Sequence, residues 1–203
     1  MKSRLSGGET VEMKICVFCG SSLGKDEAYR RAAEHTGKLL AQRGIELIYG
    51  GGHVGLMGVV ADAVLAEGGR VTGVIPRALA EREIAHDALT TLVMVESMHE
   101  RKAEMAKRAD GFIALPGGAG TLEEAFEQWT WAQLGVHQKP CGFLNIKAYF
   151  DPLRVMIEKM AREGFLKEEY ADMLVFSDDP AGILSAFASY DPPVRKWASG
   201  LEM

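Results

Sequence analysis

A glycine-rich segment followed directly by two carboxylates is the part of this sequence best suited to chemistry. Residues Leu115–Glu124 read LPGGAGTLEE after a short apolar run. Glycines let the backbone approach a ligand closely. A helix that begins here presents unpaired N–H groups and the positive end of its dipole, which together favour phosphate. No lysine follows the glycines, so the segment is not a Walker phosphate loop. It predicts an anion site with Glu123 and Glu124 in the first helical turn.

The same residues also fit a purely structural interpretation. In a capping box, the side chain of Thr121 would cap the helix and Glu124 would reach back to the N–H of Thr121. Acidic residues suit a helix N-terminus even without a ligand. On these four residues alone the cap is favoured over catalysis, so the rest of the chain has to decide.

Two cations lie near the start of a second helix. This helix is expected over 97–109, with a capping box at Ser97–Glu100. Arg101 and Lys102 lie within its first turn and a half, where cations oppose the helix dipole. Lys102 shares one helical face with apolar side chains, and cations near a buried face destabilise a protein unless an anion meets them. The alternative that both extend into solvent or pair with Glu100 and Glu104 stays open.

The elements that position these residues alternate regularly between strand and helix. Near-continuous apolar runs are typical of strands in a parallel sheet that is covered on both faces. The sequence therefore predicts an α/β fold, an open and mainly parallel sheet with helices on both faces, in one domain over residues 13–190 between tails 1–12 and 191–203. Strands are expected over 14–19, 45–49, 71–75, 91–95, 111–115, 140–145 and 173–176, and helices over 26–43, from the second glycine turn to 67, and over 97–109, 121–136, 149–163 and 180–188.

Three strands end in glycine turns, at Gly20–Ser22, Gly50–Gly58 and Gly117–Gly120. Ligands of open α/β sheets bind beyond the carboxyl ends of the strands, so these turns predict a nucleotide-phosphate site. The first part of the second turn formally matches the dinucleotide fingerprint, but the third strand ends without the acidic residue that would hold a ribose. NAD binding is therefore disfavoured, and Arg77 leaves NADP narrowly open.

Composition excludes several classes of protein. Of 203 residues, 47% are hydrophobic and 25% are charged, and the net charge is −5, so no overall field attracts nucleic acid or an anionic membrane. No apolar run approaches the ~18 residues of a membrane span. Three cysteines form no evident disulfide framework, and Cys16 and Cys19 would face opposite sides of a strand, which predicts a cytoplasmic protein. No two of the five histidines are spaced three or four residues apart, so neither a metal site nor a cofactor is expected.

A phosphate cradle, two cations and a carboxylate together suit cleavage of the N-glycosidic bond of a nucleoside monophosphate. The transition state resembles an oxocarbenium ion, which a carboxylate stabilises while it activates water. The phosphate would anchor the ribose. Glu124 is the expected carboxylate and Arg101 its electrostatic partner. We expect Glu124 to share a helix face with Gln128 and Trp131, away from an apolar stripe formed by Leu122, Ala125, Phe126, Trp129 and Ala132.

Residues Pro116–Glu124 resemble the P-G-G-x-G-T-x-x-E signature of the LONELY GUY (LOG) family. Cys19–Ser22, Tyr49–Gly52 and Gly55–Gly58 are similar to its other glycine turns, and Met98–Lys102 to its M-H-x-R-K segment. The resemblance implies a Rossmann-like homodimer with its site near the subunit interface. It also implies a cytokinin riboside 5′-monophosphate phosphoribohydrolase acting on AMP or isopentenyladenosine monophosphate.

The resemblance also implies roles for individual residues, with Arg101 and Glu124 as the catalytic pair. Ala119 occupies a position where many members have a larger residue, which bears on substrate preference. A second hypothesis is a nucleotide or molybdenum-cofactor carrier, whereas nothing resembles the lysine site of a pyridoxal-dependent decarboxylase. The implied substrate-binding residues are Gly20, Ser21, Gly51, Gly52, Met57, Glu83, Lys102, Pro116, Gly117, Gly118, Gly120, Thr121, Glu123 and Thr130.

Overall fold

A computed structural model of the chain describes residues 13–80 and 85–193. The strands in these ranges are β1 Lys14–Phe18, β2 Glu46–Tyr49, β3 Val71–Pro76, β4 Thr91–Val95, β5 Gly111–Ala114, β6 Cys141–Leu144 and β7 Leu174–Ser177. The helices are α1 Glu27–Gln42, α2 Gly55–Ala66, α3 Arg77–Ala80, α4 Met98–Arg108, α5 Ala119–Gln133, α6 Asp151–Arg162, α7 Glu168–Ala171 and α8 Pro180–Ala188, with a 3₁₀ turn at Ile146–Ala148.

The seven strands form one sheet in the order β4-β3-β2-β1-β5-β6-β7. The pairs β1–β2, β2–β3, β3–β4, β5–β6 and β6–β7 are parallel. Strands β2, β3, β5 and β6 are buried along their whole length, whereas the edge strand β4 is largely exposed. This burial explains their largely apolar sequences, because both faces of an inner parallel strand are covered. The buried polar side chains of Thr72 and Glu46 meet each other, since the hydroxyl of Thr72 donates to the carboxylate of Glu46 at 2.6 Å. The predicted α/β fold with an open parallel sheet is confirmed.

The chain divides into two compact units, and each is described separately below. The first unit comprises the described residues up to Val17 together with Ser21–Asp110, and the second comprises Phe18–Gly20 with the described residues from Gly111 onward. In the first unit, α1 and α2 pack so closely that a Cβ on Gly37 would lie 2.5 Å from the carbonyl oxygen of Val60. None of the helices in the described residues combines the length and the hydropathy that crossing a membrane requires.

Two helix ends follow the sequence signals closely. Asp26 caps α1 by accepting a hydrogen bond from the N–H of Ala28, and the chain leaves this helix through Gly44 with a φ of +66°. Ser97 caps α4 by accepting from the N–H of Glu100 at 3.1 Å. The carboxylate of Glu100 accepts from the N–H of Glu96 at 2.8 Å, so it serves the residue before the cap.

Candidate active site

Helix α5 begins two residues earlier than the sequence predicts. Its N-cap is Gly118, which has a φ of −90° and supplies no side-chain cap, and its first helical residue is Ala119. The capping-box interpretation of Thr121–Glu124 is therefore wrong, because Thr121 already lies inside the helix. Glu123 and Glu124 lie beyond the first turn, which contains no acidic residue. Without a side-chain cap, the N–H groups that open α5 are left for other acceptors.

Tight packing brings Gly20, Pro116, Gly117 and Thr121 together in the second unit. The N–H of Gly20 donates to the carbonyl oxygen of Pro116 at 3.2 Å. A Cβ on Gly117 would lie 2.1 Å from the hydroxyl oxygen of Thr121 and 2.8 Å from the nitrogen of Gly20. Thr121 itself is only 4% exposed. Glycine is thus required at position 117 by the protein's own atoms.

Gly118 and Gly120 have no such requirement. A Cβ on either residue would meet no atom within 4 Å, and both residues are exposed. Gly118 has negative φ, and Gly120 lies in the first turn of α5, where glycine weakens a helix relative to alanine. Neither packing nor backbone conformation therefore accounts for these two glycines. Close approach of a ligand to the opening of α5 does account for them.

Glu124 is half-buried, and its charge acts on Cys19 of the same unit. Burial first, and then the charge of Glu124, raise the pKa of the Cys19 thiol well above its usual value. The thiol is therefore neutral, and the three cysteines of the chain are buried and form no disulfide. Glu123 and Thr130, both predicted to contact the sugar phosphate, are exposed.

One predicted helix face in α5 is wrong. Gln128 was expected on the face of Glu124, away from the apolar stripe, but it is 1% exposed and its Oε1 lies 3.3 Å from Nε2 of His137. Leu122 and Phe126 of the expected apolar stripe are only half-buried. A polar side chain enters the core here because a partner meets it, which helical periodicity does not reveal.

Arg101 is directed into the first unit. It is 6% exposed, its Nε donates to the carbonyl oxygen of Val74 at 3.1 Å, and its Nη2 donates to that of Gly50 at 2.6 Å. Lys102 is 7% exposed, so the solvent-directed alternative is wrong for both cations. The two carbonyls are neutral dipoles, so they orient the guanidinium without cancelling its charge.

Pairing with the nearby carboxylates is not what holds Arg101 either. Glu104 forms an ion pair with Arg108, and Glu100 accepts the N–H of Glu96. Arg101 instead depends on the glycine turn after β2, because a Cβ on Gly50 would lie 2.0 Å from its Nη2. The glycine turn and the cation are thus matched in shape.

The remaining glycine turns of the first unit fit closely as well. Gly55 has a φ of +58°, and a Cβ on it would lie 2.2 Å from the carbonyl carbon of Ser21. Met57 is buried in α2. Gly52 forms an isolated antiparallel bridge with Ala85, and the carbonyl of Gly51 accepts from the N–H of His86 at 3.3 Å. Glu83 lies outside the described residues.

Sequence spacing gave no sign of a cluster formed by His53, Asp62 and His86 in the first unit. Nε2 of His86 lies 2.8 Å from Oδ1 of Asp62, and Nε2 of His53 lies 3.4 Å from Oδ2. Nδ1 of His86 accepts the N–H of Ala88 at 3.2 Å, which assigns the ring proton to Nε2. That nitrogen donates to Asp62 and has no lone pair for a metal ion. The hydrogen bond from His86 to Asp62 instead attaches the segment after Ala85 to α2.

Comparison with known proteins decides the family. A family model described as "Possible lysine decarboxylase" matches residues 57–187. A cytokinin riboside 5′-monophosphate phosphoribohydrolase of Arabidopsis thaliana is 48% identical over 93% of this chain and 87% of its own length. A probable enzyme of the same name from Oryza sativa is 47% identical over 93% of this chain and 78% of its own. The chain belongs to the LOG family.

Solved structures show that the LOG family chain shares its fold with proteins of other descriptions. The molybdenum cofactor binding protein of Rippkaea orientalis superposes with a TM-score of 0.67 at 20% identity, covering 88% of this chain and 96% of that protein. The molybdenum cofactor carrier protein of Chlamydomonas reinhardtii gives a TM-score of 0.66 at 20% identity, over 88% and 96%. At this identity the likeness concerns the fold alone.

Proposed function

We propose that this protein hydrolyses the N-glycosidic bond of nucleoside 5′-monophosphates and releases a free base and ribose 5-phosphate. The observation that carries the proposal is the opening of α5. Gly118 and Gly120 leave the backbone there accessible to a ligand, although packing requires glycine at neither position. Identity of 46–48% to phosphoribohydrolases across most of the chain supports the same reaction. The substrates proposed are AMP and isopentenyladenosine monophosphate.

In the proposed reaction the phosphate binds the N–H groups that open α5 and so anchors the ribose. The bond between C1′ and the base nitrogen breaks, and its electron pair leaves with the base. Glu124 stabilises the positive charge that develops on the sugar and takes a proton from the water whose oxygen bonds to C1′. A proton from solvent neutralises the departing base.

Arg101 is proposed as the electrostatic partner of this reaction. Its guanidinium is fixed by two backbone carbonyls, so it does not have to reorganise when charge develops on the substrate. A permanently charged, preoriented group of this kind favours the developing negative charge of the leaving base or the phosphate. Lysine in its place would lose the two-point attachment.

The carrier hypothesis has weaker support. The molybdenum-cofactor proteins resemble this chain at 20% identity, which concerns the fold only. A carrier needs the glycine turns but has no evident need for both Arg101 and Glu124. We further propose a homodimer, as the family resemblance implies, and a cytoplasmic location, which is in keeping with three cysteines that form no disulfide.

The test is base release from AMP and isopentenyladenosine monophosphate, each compared with its unphosphorylated nucleoside. We expect release from the monophosphates only, and a loss of at least ~100-fold in Glu124→Gln and in Arg101→Ala. Matched controls are Glu158→Gln, an exposed glutamate on α6, and Arg108→Ala on the same helix as Arg101.

Three outcomes would contradict the proposal. Nucleotide binding without base release would favour the carrier. Full activity in either active-site variant would remove that residue from the mechanism. Decarboxylation of lysine, measured in the same preparations, would favour the activity that the family description names.

A further inference from the structure

A tyrosine that sequence analysis did not select contacts the glycine segment ahead of α5. The hydroxyl of Tyr149 donates to the carbonyl oxygen of Gly117 at 2.6 Å. The two residues are far apart in the sequence but belong to the same unit. Tyr149 is 42% exposed, and its ring packs edge-on against buried Phe150 with centroids 5.0 Å apart.

The segment that carries Tyr149 is held firmly. The side chain of Asn145 accepts the N–H of Phe150 at 2.7 Å and donates to the carboxylate of Asp151 at 2.8 Å. Lys147 and Ala148 have φ values of +56° and +57°, a left-handed conformation that is unfavourable for residues other than glycine. Such strain persists only where the surroundings impose it, and here it precedes a residue that reaches the glycine segment.

The hydrogen bond from Tyr149 orients more than the carbonyl oxygen of Gly117. In a trans peptide the C=O and N–H groups are coplanar and point in opposite directions. Fixing the carbonyl of Gly117 therefore fixes the direction of the N–H of Gly118, the N-cap of α5. Glycines on both sides of this peptide impose little restriction of their own. A hydroxyl that donates to the carbonyl also polarises the peptide and strengthens its N–H as a donor.

We propose that Tyr149 is a positioning residue for phosphate, acting through the Gly117–Gly118 peptide to hold one N–H in its binding orientation. This inference rests on the proposed function, because it assigns the phosphate of the nucleoside monophosphate to the opening of α5. The tyrosine itself takes no part in bond breaking. Its loss should therefore weaken binding of the phosphorylated substrate far more than it slows the chemical step.

The experiment compares wild type, Tyr149→Phe and Tyr190→Phe. The first variant keeps the ring and its contact with Phe150 but removes the donor. The control removes a buried hydroxyl of the same unit that makes no hydrogen bond to any described residue. Kinetics with isopentenyladenosine monophosphate and inhibition by inorganic phosphate are measured for each protein, and thermal melting confirms that each is folded.

For Tyr149→Phe we expect KM and the phosphate inhibition constant to rise together by ~3–10-fold, with kcat within about 3-fold of wild type. Tyr190→Phe should leave both constants unchanged. A variant that lowers the melting temperature but keeps both constants would show a merely structural role and overturn the inference. So would an equal rise in both constants in the control.

A binding measurement distinguishes failure of this inference from failure of the proposed function. If wild type releases no base, calorimetric titration with ribose 5-phosphate still tests Tyr149. A loss of affinity by the same factor in Tyr149→Phe supports the inference without the hydrolase. Equal affinity in the two proteins, or no binding of ribose 5-phosphate to wild type, overturns it.

Discussion

Arg101 shows how a single buried cation is made compatible with the core. A charged group taken out of water is costly unless hydrogen bonds meet it, and the carbonyls of Gly50 and Val74 provide them. Space is the second requirement, because any side chain at position 50 would overlap the guanidinium. Glycine at this position therefore serves the arginine as much as it serves a turn.

Replacing Gly50 by alanine should act through Arg101. The added methyl would displace the guanidinium, so we expect base release to fall ~10–100-fold and the free energy of unfolding to fall by about 1–3 kcal/mol. Arg101→Ala removes the clashing group. In that background the same Gly50→Ala change should therefore cost little more in activity or in stability.

A double-mutant cycle measures this coupling. Base-release rates and denaturant unfolding are determined for wild type, the two single variants and the double variant. Effects of Gly50→Ala that are the same with and without Arg101 would show that the glycine acts independently of the arginine.

Among the secondary-structure elements, the first turn of α5 is where the requirements of stability and of the proposed function differ most clearly. Gly120 lies in the first helical turn, where a Cβ would meet no protein atom within 4 Å. Alanine should therefore stabilise the helix by about 0.5–1 kcal/mol. It would also place a methyl group where the phosphate is proposed to bind.

We expect Gly120→Ala to unfold at higher denaturant concentration than wild type while its KM for the monophosphate rises ~10-fold or more. Chemical denaturation and steady-state kinetics on one preparation check both parts. Higher stability with unchanged KM would place the phosphate away from this turn.

The strands and longer helices could be predicted because local sequence determines them. Most positions of the buried strands are apolar, and Gly44 and Ser97 mark helix ends by their own chemistry. The short helix α7 was missed, since four residues carry too little periodicity. The start of α5 was misplaced because Thr121 and Glu124 match a capping signature at a helix that Gly118 begins.

The parts of the site that escaped prediction depend on contacts between distant segments. Tyr149 reaches Gly117 only because the turn before α6 adopts a strained conformation. His86 meets Asp62 only after Ala85 bridges to Gly52. Residue types and spacing identified Arg101, but its direction depends on the carbonyls of Gly50 and Val74, which only the folded sheet brings to it.

For the whole molecule, two histidines in different units show the same local arrangement. In each, Nδ1 accepts the N–H two residues later and Nε2 faces a side-chain oxygen: His86 with Ala88 and Asp62, and His137 with Lys139 and Gln128. In both cases each ring nitrogen has a hydrogen-bond partner. At His137, protonation of Nδ1 would remove the acceptor of the N–H of Lys139.

At His137 this arrangement predicts how global stability depends on pH. Burial, followed by the charge of Lys139, lowers the pKa of His137 from 6.5 to about 4. Between these values the unfolded chain binds a proton that the folded chain does not, so the free energy of unfolding falls as pH drops from 6.5 towards 4.

His137→Asn keeps an acceptor for the N–H of Lys139 but cannot titrate. Its stability deficit relative to wild type should therefore be smaller at about pH 5 than at about pH 7, measured by urea unfolding. Carboxylates titrate equally in both proteins and cancel, so an unchanged deficit would show that the histidine is protonated alike in the folded and unfolded chain.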